Sequence, residues 1–173
     1  MEDLYIFVEG PDEERLFSRV MVPIIKGIGA FHPILWPYRE SSKKEIIRRI
    51  QILTQMKAPY VFVSDLDKAP CISARKMSLS QIYDGIDENC IVVVVKAIEG
   101  WYAAGLTMKG CEKLGLPEPQ ETEKLNHARF GEWISKKLGK ESIAKIAILC
   151  HYSPKVARKR NPSFDYFFQK FCC

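Results

Sequence analysis

The sequence lacks the features that mark several large classes of protein. No apolar run approaches the roughly 18 to 20 residues that a membrane-spanning helix requires. The acidic start, Met1-Glu2-Asp3, has none of the basic residues that open a secretory signal. The six cysteines include no C-x-x-C pair and have no histidines at zinc-finger spacing, which argues against a zinc site or a disulfide framework. We therefore expect a cytoplasmic protein with no membrane contact, in which Cys90 and Cys150, each set in apolar sequence, lie in the core.

Several motifs of catalysis and nucleotide binding are also missing. The chain has no G-x-S-x-G, no G-x-x-x-x-G-K-[ST] and no G-x-G-x-x-G, so the α/β-hydrolase, P-loop and dinucleotide-binding classes are not first choices. Its three histidines, His32, His127 and His151, show no ligand spacing. We expect each of them to be a structural or surface residue rather than a catalytic one.

Size and composition indicate one folded domain with an uneven charge distribution. The 173 residues are 47% hydrophobic and 27% charged, with a net charge of +5, which excludes a disordered chain. Residues 1–20 carry six acids against two arginines, whereas residues 151–173 carry five basic residues against one acid. The basic end predicts contact with phosphates, although such a cluster is also typical of a solvated face.

Strand-like and helix-like segments alternate up to about residue 100, which predicts an α/β fold with a mainly parallel sheet of about four strands flanked by helices. The strands are predicted over 4–8, 33–36, 60–64 and 90–95. The last is the most apolar, so we expect it to be central. We expect residues 1–173 to form a single domain, with an α/β core over 1–105 and a helical C-terminal extension over 106–173.

Helix boundaries are indicated by prolines and capping residues. Pro11 suits the first position of a helix, which Pro23 is expected to end or kink. Ser42 is a plausible N-cap, with Glu45 three residues further on. Further helices are predicted over 74–86, 128–138 and 142–149, with Gly139 as a C-cap between the last two.

Acidic residues follow three of the predicted strands. Glu9 follows the first strand, Asp65 and Asp67 follow the third, and Glu99 comes shortly after the fourth. In an open α/β sheet ligands bind beyond the carboxyl ends of the strands, so these acids are predicted to meet at one edge. Their mutual repulsion is best relieved by a divalent cation, and oxygen ligands without histidine or cysteine favour Mg²⁺ or Mn²⁺.

The individual carboxylates also have ordinary structural explanations. If Asp65 and Asp67 lie in extended backbone, they point the same way with about 6.6 Å between Cα atoms; the alternative is a turn that caps the next helix. Glu13 lies about one helical turn past Gly10 and could reach back to the same cation, but acids are common in a first helical turn. Glu99 could likewise be an acid at a helix start.

A set of basic residues could neutralise the phosphates of a nucleic acid, giving salt-sensitive binding with little reading of sequence. Each of them also has an ordinary explanation as a surface residue. The candidates for nucleic-acid binding are Lys68, Lys155, Arg158, Lys159 and Arg160.

At these residues the chain resembles a known family. A hydrophobic strand followed by Val8-Glu9-Gly10, with an acid at Glu13, and a later strand that ends in Asp65-Leu66-Asp67 resemble the Toprim domain of topoisomerases, bacterial primases and OLD-family nucleases. The resemblance covers about the first hundred residues.

Two further segments are similar to small stand-alone Toprim-like proteins related to the OLD-family nucleases. These segments are Lys96-Ala97-Ile98-Glu99-Gly100-Trp101-Tyr102-Ala103-Ala104 and Asn161-Pro162-Ser163-Phe164. In those relatives a motif of the type E-A-W-L-L-A-D follows the last core strand. Here Gly105 stands at the position of the final Asp, which leaves Glu99 as the only acid of that motif.

The resemblance implies a Toprim or Rossmann-like sheet in which Glu9 is an acid/base or metal-binding residue and Asp65 and Asp67 hold Mg²⁺ or Mn²⁺. By the same similarity, Lys155 would stabilise charge on the phosphorus centre. The expected activity is metal-dependent cleavage of phosphodiester bonds in DNA or RNA, with Glu13 and Glu99 at a second ion about 3.5 to 4 Å from the first.

Two other functions fit the same residues. The chain could be a non-catalytic nucleic-acid-binding subunit of a larger complex, because no helix-turn-helix or zinc finger that would target it is recognisable. It could also transfer phosphoryl groups on a small phosphorylated substrate. A partner protein or a homo-oligomer is compatible with each of these functions.

Overall fold

The chain forms two compact units. The computed structural model describes residues 2–134 and 138–172. The first unit contains the described residues up to Val93 together with Cys172, and the second contains Val94–Phe171 with the same gap. The second unit thus begins before residue 105, the position at which the sequence predicts the α/β core to end.

A four-stranded parallel sheet confirms the predicted α/β fold. Its strands are β1 (Glu2–Val8), β2 (Phe31–Pro37), β3 (Tyr60–Asp65) and β4 (Ile91–Val94), in the spatial order β2-β1-β3-β4. The register sets Phe7 of β1 opposite Trp36 on one side and Phe62 on the other. Helices flank the sheet and make up the C-terminal part of the chain, as predicted.

The position of β4 differs from the prediction. The strand lies at one end of the sheet, beside β3, and is not central. All four of its residues are nevertheless buried. A continuous apolar run indicates that both faces of a strand are buried. It carries no information about how many neighbouring strands are hydrogen-bonded to it, and this is why the prediction of a central strand was wrong.

The helices of the first unit largely follow the local signals. The first helical segment begins at Pro11, as predicted, and continues past Pro23 to Ile28. A π-helical turn over Phe17–Met21 ends two residues before Pro23, which lies in the first turn of the following helix. Ser42 caps the helix α3, because its Oγ accepts a hydrogen bond from the backbone N–H of Glu45 at 3.2 Å. The helices are α1 (Pro11–Leu16), α2 (Val22–Ile28), α3 (Lys43–Gln55) and α4 (Ile72–Ile82).

Six helices are described in the second unit. They are α5 (Glu99–Gly105), α6 (Met108–Leu114), α7 (His127–Ile134), α8 (Glu141–Leu149), α9 (Pro154–Arg160) and α10 (Pro162–Phe171). The helix predicted over 128–138 corresponds to α7, and residues 135–137 of that prediction lie outside the described residues. None of the helices in the described ranges 2–134 and 138–172 is long and apolar enough to span a membrane.

Residues 96–104 and 161–164 pack against each other. Helix α5 is buried along its whole length and lies beside α9. The indole N–H of Trp101 donates to Ser163 Oγ at 2.9 Å, and the Trp101 ring meets Phe164 edge-on at 5.2 Å. Asn161 is fully buried and accepts a hydrogen bond from the Phe164 backbone N–H. These segments therefore form the internal scaffold of the second unit.

The predicted core cysteines are not buried. Cys90 is half-exposed and Cys150 is exposed, whereas Cys111 and Cys172 are buried. Cys150 follows the last residue of α8, so its apolar sequence neighbours point to other sides of the helix. Apolar sequence around a residue does not by itself determine which way that residue faces.

Candidate functional site

At the carboxyl ends of β1 and β3 the chain connections reverse direction across the sheet. The connection after β1 leads to β2 on one side, and the connection after β2 leads to β3 on the other side. Ligands of open α/β sheets bind in the crevice that forms at such a switch point. Glu9 directly follows β1, and Asp65 is the last residue of β3. The fold therefore sets these two acids at the ends of adjacent strands.

Glu9 lines a cleft of about 260 Å³ in the first unit. The Arg39 guanidinium lies beside it, with Nη2 at 3.7 Å from Glu9 Oε1. The Arg39 backbone N–H donates to the Glu9 carbonyl at 3.0 Å, which continues the β1–β2 pairing and positions both side chains. Lys43, Tyr38 and Tyr83 also line the cleft. The cleft thus combines one carboxylate with two cations and two phenols.

Tyr38 forms part of the floor of this cleft and stays protonated. Its ring stacks on Phe62 at 4.6 Å, and its hydroxyl donates to the Val63 carbonyl at 3.2 Å. Burial raises the pKa of Tyr38, and the negative charge of Glu9 raises it further. The phenol is therefore a fixed hydrogen-bond donor and does not act as a base at neutral pH.

Glu13 reaches back to the end of β1, as its spacing suggests. The Gly10 backbone N–H donates to Glu13 Oε2 at 3.0 Å. Burial is the largest cause of a raised pKa of Glu13; backbone hydrogen bonds oppose it, and the charge of Glu9 adds to it. Two carboxylates thus interact electrostatically at this strand end, and a nearby positive charge would stabilise both in the ionised form.

Asp65 and Asp67 are not arranged as the extended-backbone expectation requires. The strand ends at Asp65, and Asp67 has a φ of 51°, in the left-handed region. Leu66 between them is buried, and its carbonyl accepts a hydrogen bond from the Ala69 N–H, which closes a turn. The alternative of a turn is therefore correct, although Cys71 and not an aspartate is the N-cap of α4.

Arg75 of α4 bridges Asp67 to the end of β3. Its NH2 lies 2.7 Å from Asp67 Oδ2 and donates to Ser64 Oγ at 2.8 Å. Arg75 Nε is buried and has no hydrogen-bond partner among the described residues. An arginine of this kind was not foreseen from the sequence, and it neutralises one of the two aspartates that were predicted to hold a metal.

The carboxylates at the sheet edge do not form a metal cage of three protein ligands among the described residues. Among the residues that the structure describes, Glu9, Glu13, Asp65 and Asp67 supply no three ligand atoms that all lie within 4.8 Å of one another. A cage made only of protein ligands is therefore not formed here. Mg²⁺, however, usually keeps several waters and is bound through one or two carboxylates plus phosphate oxygens. Glu9 and Asp65, which stand at the ends of adjacent strands, carry carboxylates of the kind that such an ion binds.

Glu99 has a different environment, in the second unit. Its side chain is only 7% exposed, and its Oε1 lies 2.8 Å from Nζ of Lys145, whose side chain is 2% exposed. His127 Nδ1 lies 3.2 Å from Oε1 of both Glu99 and Glu141. Burial would raise the pKa of Glu99, but the hydrogen bond and charge of Lys145, with a smaller contribution from His127, hold it below its ordinary value.

This cluster differs from the predicted metal set because it contains its own cation. Glu99, His127 and Glu141 each offer a ligand atom within 4.8 Å of the others, so the three could hold a metal ion. Lys145 already supplies a positive charge there, 2.8 Å from Glu99 and 3.4 Å from Glu141. Sequence reasoning treated His127 as an isolated residue and missed Lys145. The usable signal was a lysine inside an apolar helix, since a buried lysine needs a carboxylate partner.

The predicted phosphate-binding residues divide into paired and exposed side chains. Arg158 Nε lies 2.5 Å from Asp165 Oδ1, and Arg160 pairs with Glu118 while donating to the Leu106 carbonyl. Lys155 and Lys159 are exposed and lie one helical turn apart on α9, and no described carboxylate pairs with either. Lys68 is exposed in the first unit, where it lines a surface depression with Asp67 and Arg75. The three lysines are therefore exposed, whereas the two arginines are engaged in contacts within the fold.

Gly105 is packed so closely against Tyr152 that a side chain at this position would clash with the ring. A Cβ placed there would lie 2.1 Å from ring atoms of Tyr152. The Tyr152 hydroxyl donates to the Trp101 carbonyl at 2.9 Å, which fixes the ring over the glycine. An aromatic ring thus occupies the space that an aspartate of the E-A-W-L-L-A-D pattern would need.

Comparison of the chain with protein-family models, with curated proteins and with solved structures gives no match. A functional assignment must therefore rest on the chemistry of the chain's own residues.

Proposed function

We propose that this chain is a Toprim-like, Mg²⁺-dependent nuclease that cleaves phosphodiester bonds at the carboxyl edge of β1 and β3. The observation that carries the proposal is the position of Glu9 and Asp65, which end adjacent parallel strands at the switch point of the sheet. Glu13, buried beside this edge and bound to Gly10, adds a second acid to the β1 end.

The side chains of the edge have distinct tasks in this proposal. Glu9 and Asp65 would hold Mg²⁺, and the bound ion would supply a Lewis acid for a phosphoryl oxygen and for water. Arg39 and Lys43, which line the cleft with Glu9, bind phosphate oxygens of the substrate. Arg75 keeps Asp67 and Ser64 in place and thereby fixes the end of β3.

A second candidate is a nucleic-acid-binding subunit that does not cleave. It is favoured by the ion pair between Asp67 and Arg75, which already neutralises one of the expected metal ligands. The cations of the cleft and the exposed lysines Lys155 and Lys159 would serve binding equally well.

The experiment that separates these candidates is cleavage of labelled single- and double-stranded DNA and RNA in Mg²⁺, Mn²⁺ or EDTA. The wild-type chain is compared with Glu9→Gln, Asp65→Asn and Glu2→Gln. Glu2 is the matched control because it is an exposed glutamate at the opposite end of the same strand, about 23 Å from Glu9 at 3.3 Å per residue. Metal-dependent products that disappear in Glu9→Gln and Asp65→Asn but persist in Glu2→Gln would support the nuclease. Salt-sensitive binding without products in any metal would establish the binding subunit.

A phosphoryl-transfer enzyme acting on small molecules would give a different pattern. It would release phosphate from nucleotides or phosphate monoesters and leave oligonucleotides intact. The same variants, assayed with both substrate sizes, therefore distinguish this activity from the nuclease.

A further inference from the structure

A groove between α3 and the edge strand β2 is lined by aromatic rings and arginines. Its volume is about 360 Å³, within the range of small-molecule sites. Tyr5, Phe7 and Trp36 come from the two strands, and Arg48 and Arg49 come from the helix. The proposed function does not use any of these residues.

The aromatic side of the groove offers a flat surface. Phe7 meets the Trp36 ring edge-on at 4.9 Å, which holds the indole in place. The Arg49 guanidinium lies 4.3 Å from the centre of that ring. At the far end Met56 is 68% exposed and Ile52 is 43% exposed, so apolar surface remains open to a ligand.

The charge of the groove favours an anion. Arg48 and Arg49 are both exposed, and neither makes an ion pair with any residue that the structure describes. By contrast, Arg15, Arg75 and Arg160 each have a carboxylate partner. Glu45 is the one acid among the groove residues, so the two guanidinium groups leave a net positive charge.

The groove residues of β1 and β2 come shortly before the residues of the Glu9 cleft along the chain. Phe7 lies two residues before Glu9, and Trp36 lies two residues before Tyr38, which lines the Glu9 cleft. Residues two apart on a strand share a face and lie about 6.6 Å apart. A single strand with one base seated on Trp36 is therefore long enough to reach the Glu9 cleft.

We propose that this groove binds an unpaired base of a single-stranded nucleic acid. The base stacks on Trp36 in place of the Arg49 guanidinium that lies over the ring, and the flanking phosphates contact Arg48 and the displaced Arg49. Aromatic surfaces beside cations are the general means of holding single strands, because every base has a stacking face. A base inside a duplex is already stacked on its neighbours and cannot reach the indole. This inference names the substrate class of the Glu9 site and rests on the proposed nuclease function.

Binding is tested by fluorescence anisotropy with short labelled oligo(dT) and oligo(U) in EDTA, so that no cleavage occurs. The variants are Trp36→Leu, Trp36→Phe and Arg48→Ala/Arg49→Ala. Lys44→Ala is the matched control, since it removes an exposed cation of the same helix that does not line the groove. Circular dichroism verifies that each variant is folded.

The expected result is a roughly 5- to 150-fold weaker affinity for Trp36→Leu, substantial recovery in Trp36→Phe and no change in Lys44→Ala. The plot of log affinity against log salt should become less steep by about 1.4 in the double arginine variant, because two phosphate contacts are lost. Equal affinity of wild type and Trp36→Leu would overturn the inference. Preference for a blunt duplex, or self-association that depends on Trp36 without oligonucleotide binding, would also overturn it.

The outcomes separate this inference from the proposed function. If the protein binds single strands through the groove but cleaves nothing in any metal, the groove inference stands and the proposed nuclease function is refuted. If Trp36→Leu cleaves in a metal-dependent manner with an unchanged KM, the nuclease function stands and the role of the groove is refuted.

Discussion

Replacement of Lys145 by methionine tests whether Glu99 is an ion-pair partner or a free metal ligand. The side chains of Lys145 and Glu99 are 2% and 7% exposed, so the variant leaves a carboxylate buried without its ammonium. Removal of one member of a buried ion pair typically costs about 3–5 kcal/mol. Because His127 remains within 3.2 Å of Glu99, we expect the low end of this range, about 3 kcal/mol.

The measurement is urea unfolding at neutral pH, followed by tryptophan fluorescence, with Lys109→Met as the matched control. Lys109 is an exposed lysine of α6, so its loss should change the free energy of unfolding by less than about 0.5 kcal/mol. The double variant Lys145→Met/Glu99→Leu should recover most of the lost stability, since an apolar pair replaces the buried charges. A Lys145→Met protein as stable as the control would refute the reasoning.

The same pair predicts a dependence of stability on pH. Lys145 and His127 lower the pKa of Glu99 from its ordinary value of 4.5, against the opposing effect of burial. The group therefore stabilises the fold fully above pH 4.5, and this contribution is lost as the pH falls through the lower folded value. Below pH 4.5 the wild type should lose stability relative to Lys145→Met/Glu99→Leu, which has no carboxylate at this position. A constant difference across that range would contradict the ion pair.

Three further perturbations test the remaining sites. Glu13 has a raised pKa because burial disfavours its charge, so any stability it contributes is present below pH 4.5 and lost as the pH rises through the folded value. Glu13→Gln should thus melt no lower than wild type at pH 8 in EDTA, and a lower melting temperature would contradict this account. The double variant Lys155→Ala/Lys159→Ala should weaken oligonucleotide binding and its salt dependence without moving the unfolding midpoint, because both lysines are exposed; unchanged affinity would remove them from the interface. Gly105→Asp should destabilise the fold by about 1–3 kcal/mol in urea unfolding, because its Cβ would lie 2.1 Å from a tyrosine ring. Wild-type stability of that variant would show that the ring moves freely.

Signals that are local in sequence predicted the fold well. Pro11 at a helix start and Ser42 as an N-cap act within one turn of the chain, and both are confirmed. Alternation of strands and helices was enough to indicate a parallel sheet. The central position assigned to β4 was wrong, because the order of strands depends on pairing between distant segments.

The candidate site was only partly predictable for the same reason. The acid positions Glu9 and Asp65 follow from strand ends, which the sequence locates. The partners that determine their electrostatics come from elsewhere in the chain. Arg75 neutralises Asp67 from the next helix, and Lys145 lies 46 residues from Glu99. No periodicity or motif connects such pairs, so the sequence alone did not reveal which carboxylates already had a cation.

The most direct test of the central claim is the single-turnover rate of oligonucleotide cleavage in Mg²⁺ for Glu9→Gln and Glu2→Gln. The two variants make the same chemical change at opposite ends of β1. The account predicts a strongly reduced rate for Glu9→Gln, because the metal loses a ligand, and an unchanged rate for Glu2→Gln. Equal rates in the two variants, or cleavage that survives in EDTA, would contradict a metal-dependent nuclease site at this edge of the sheet.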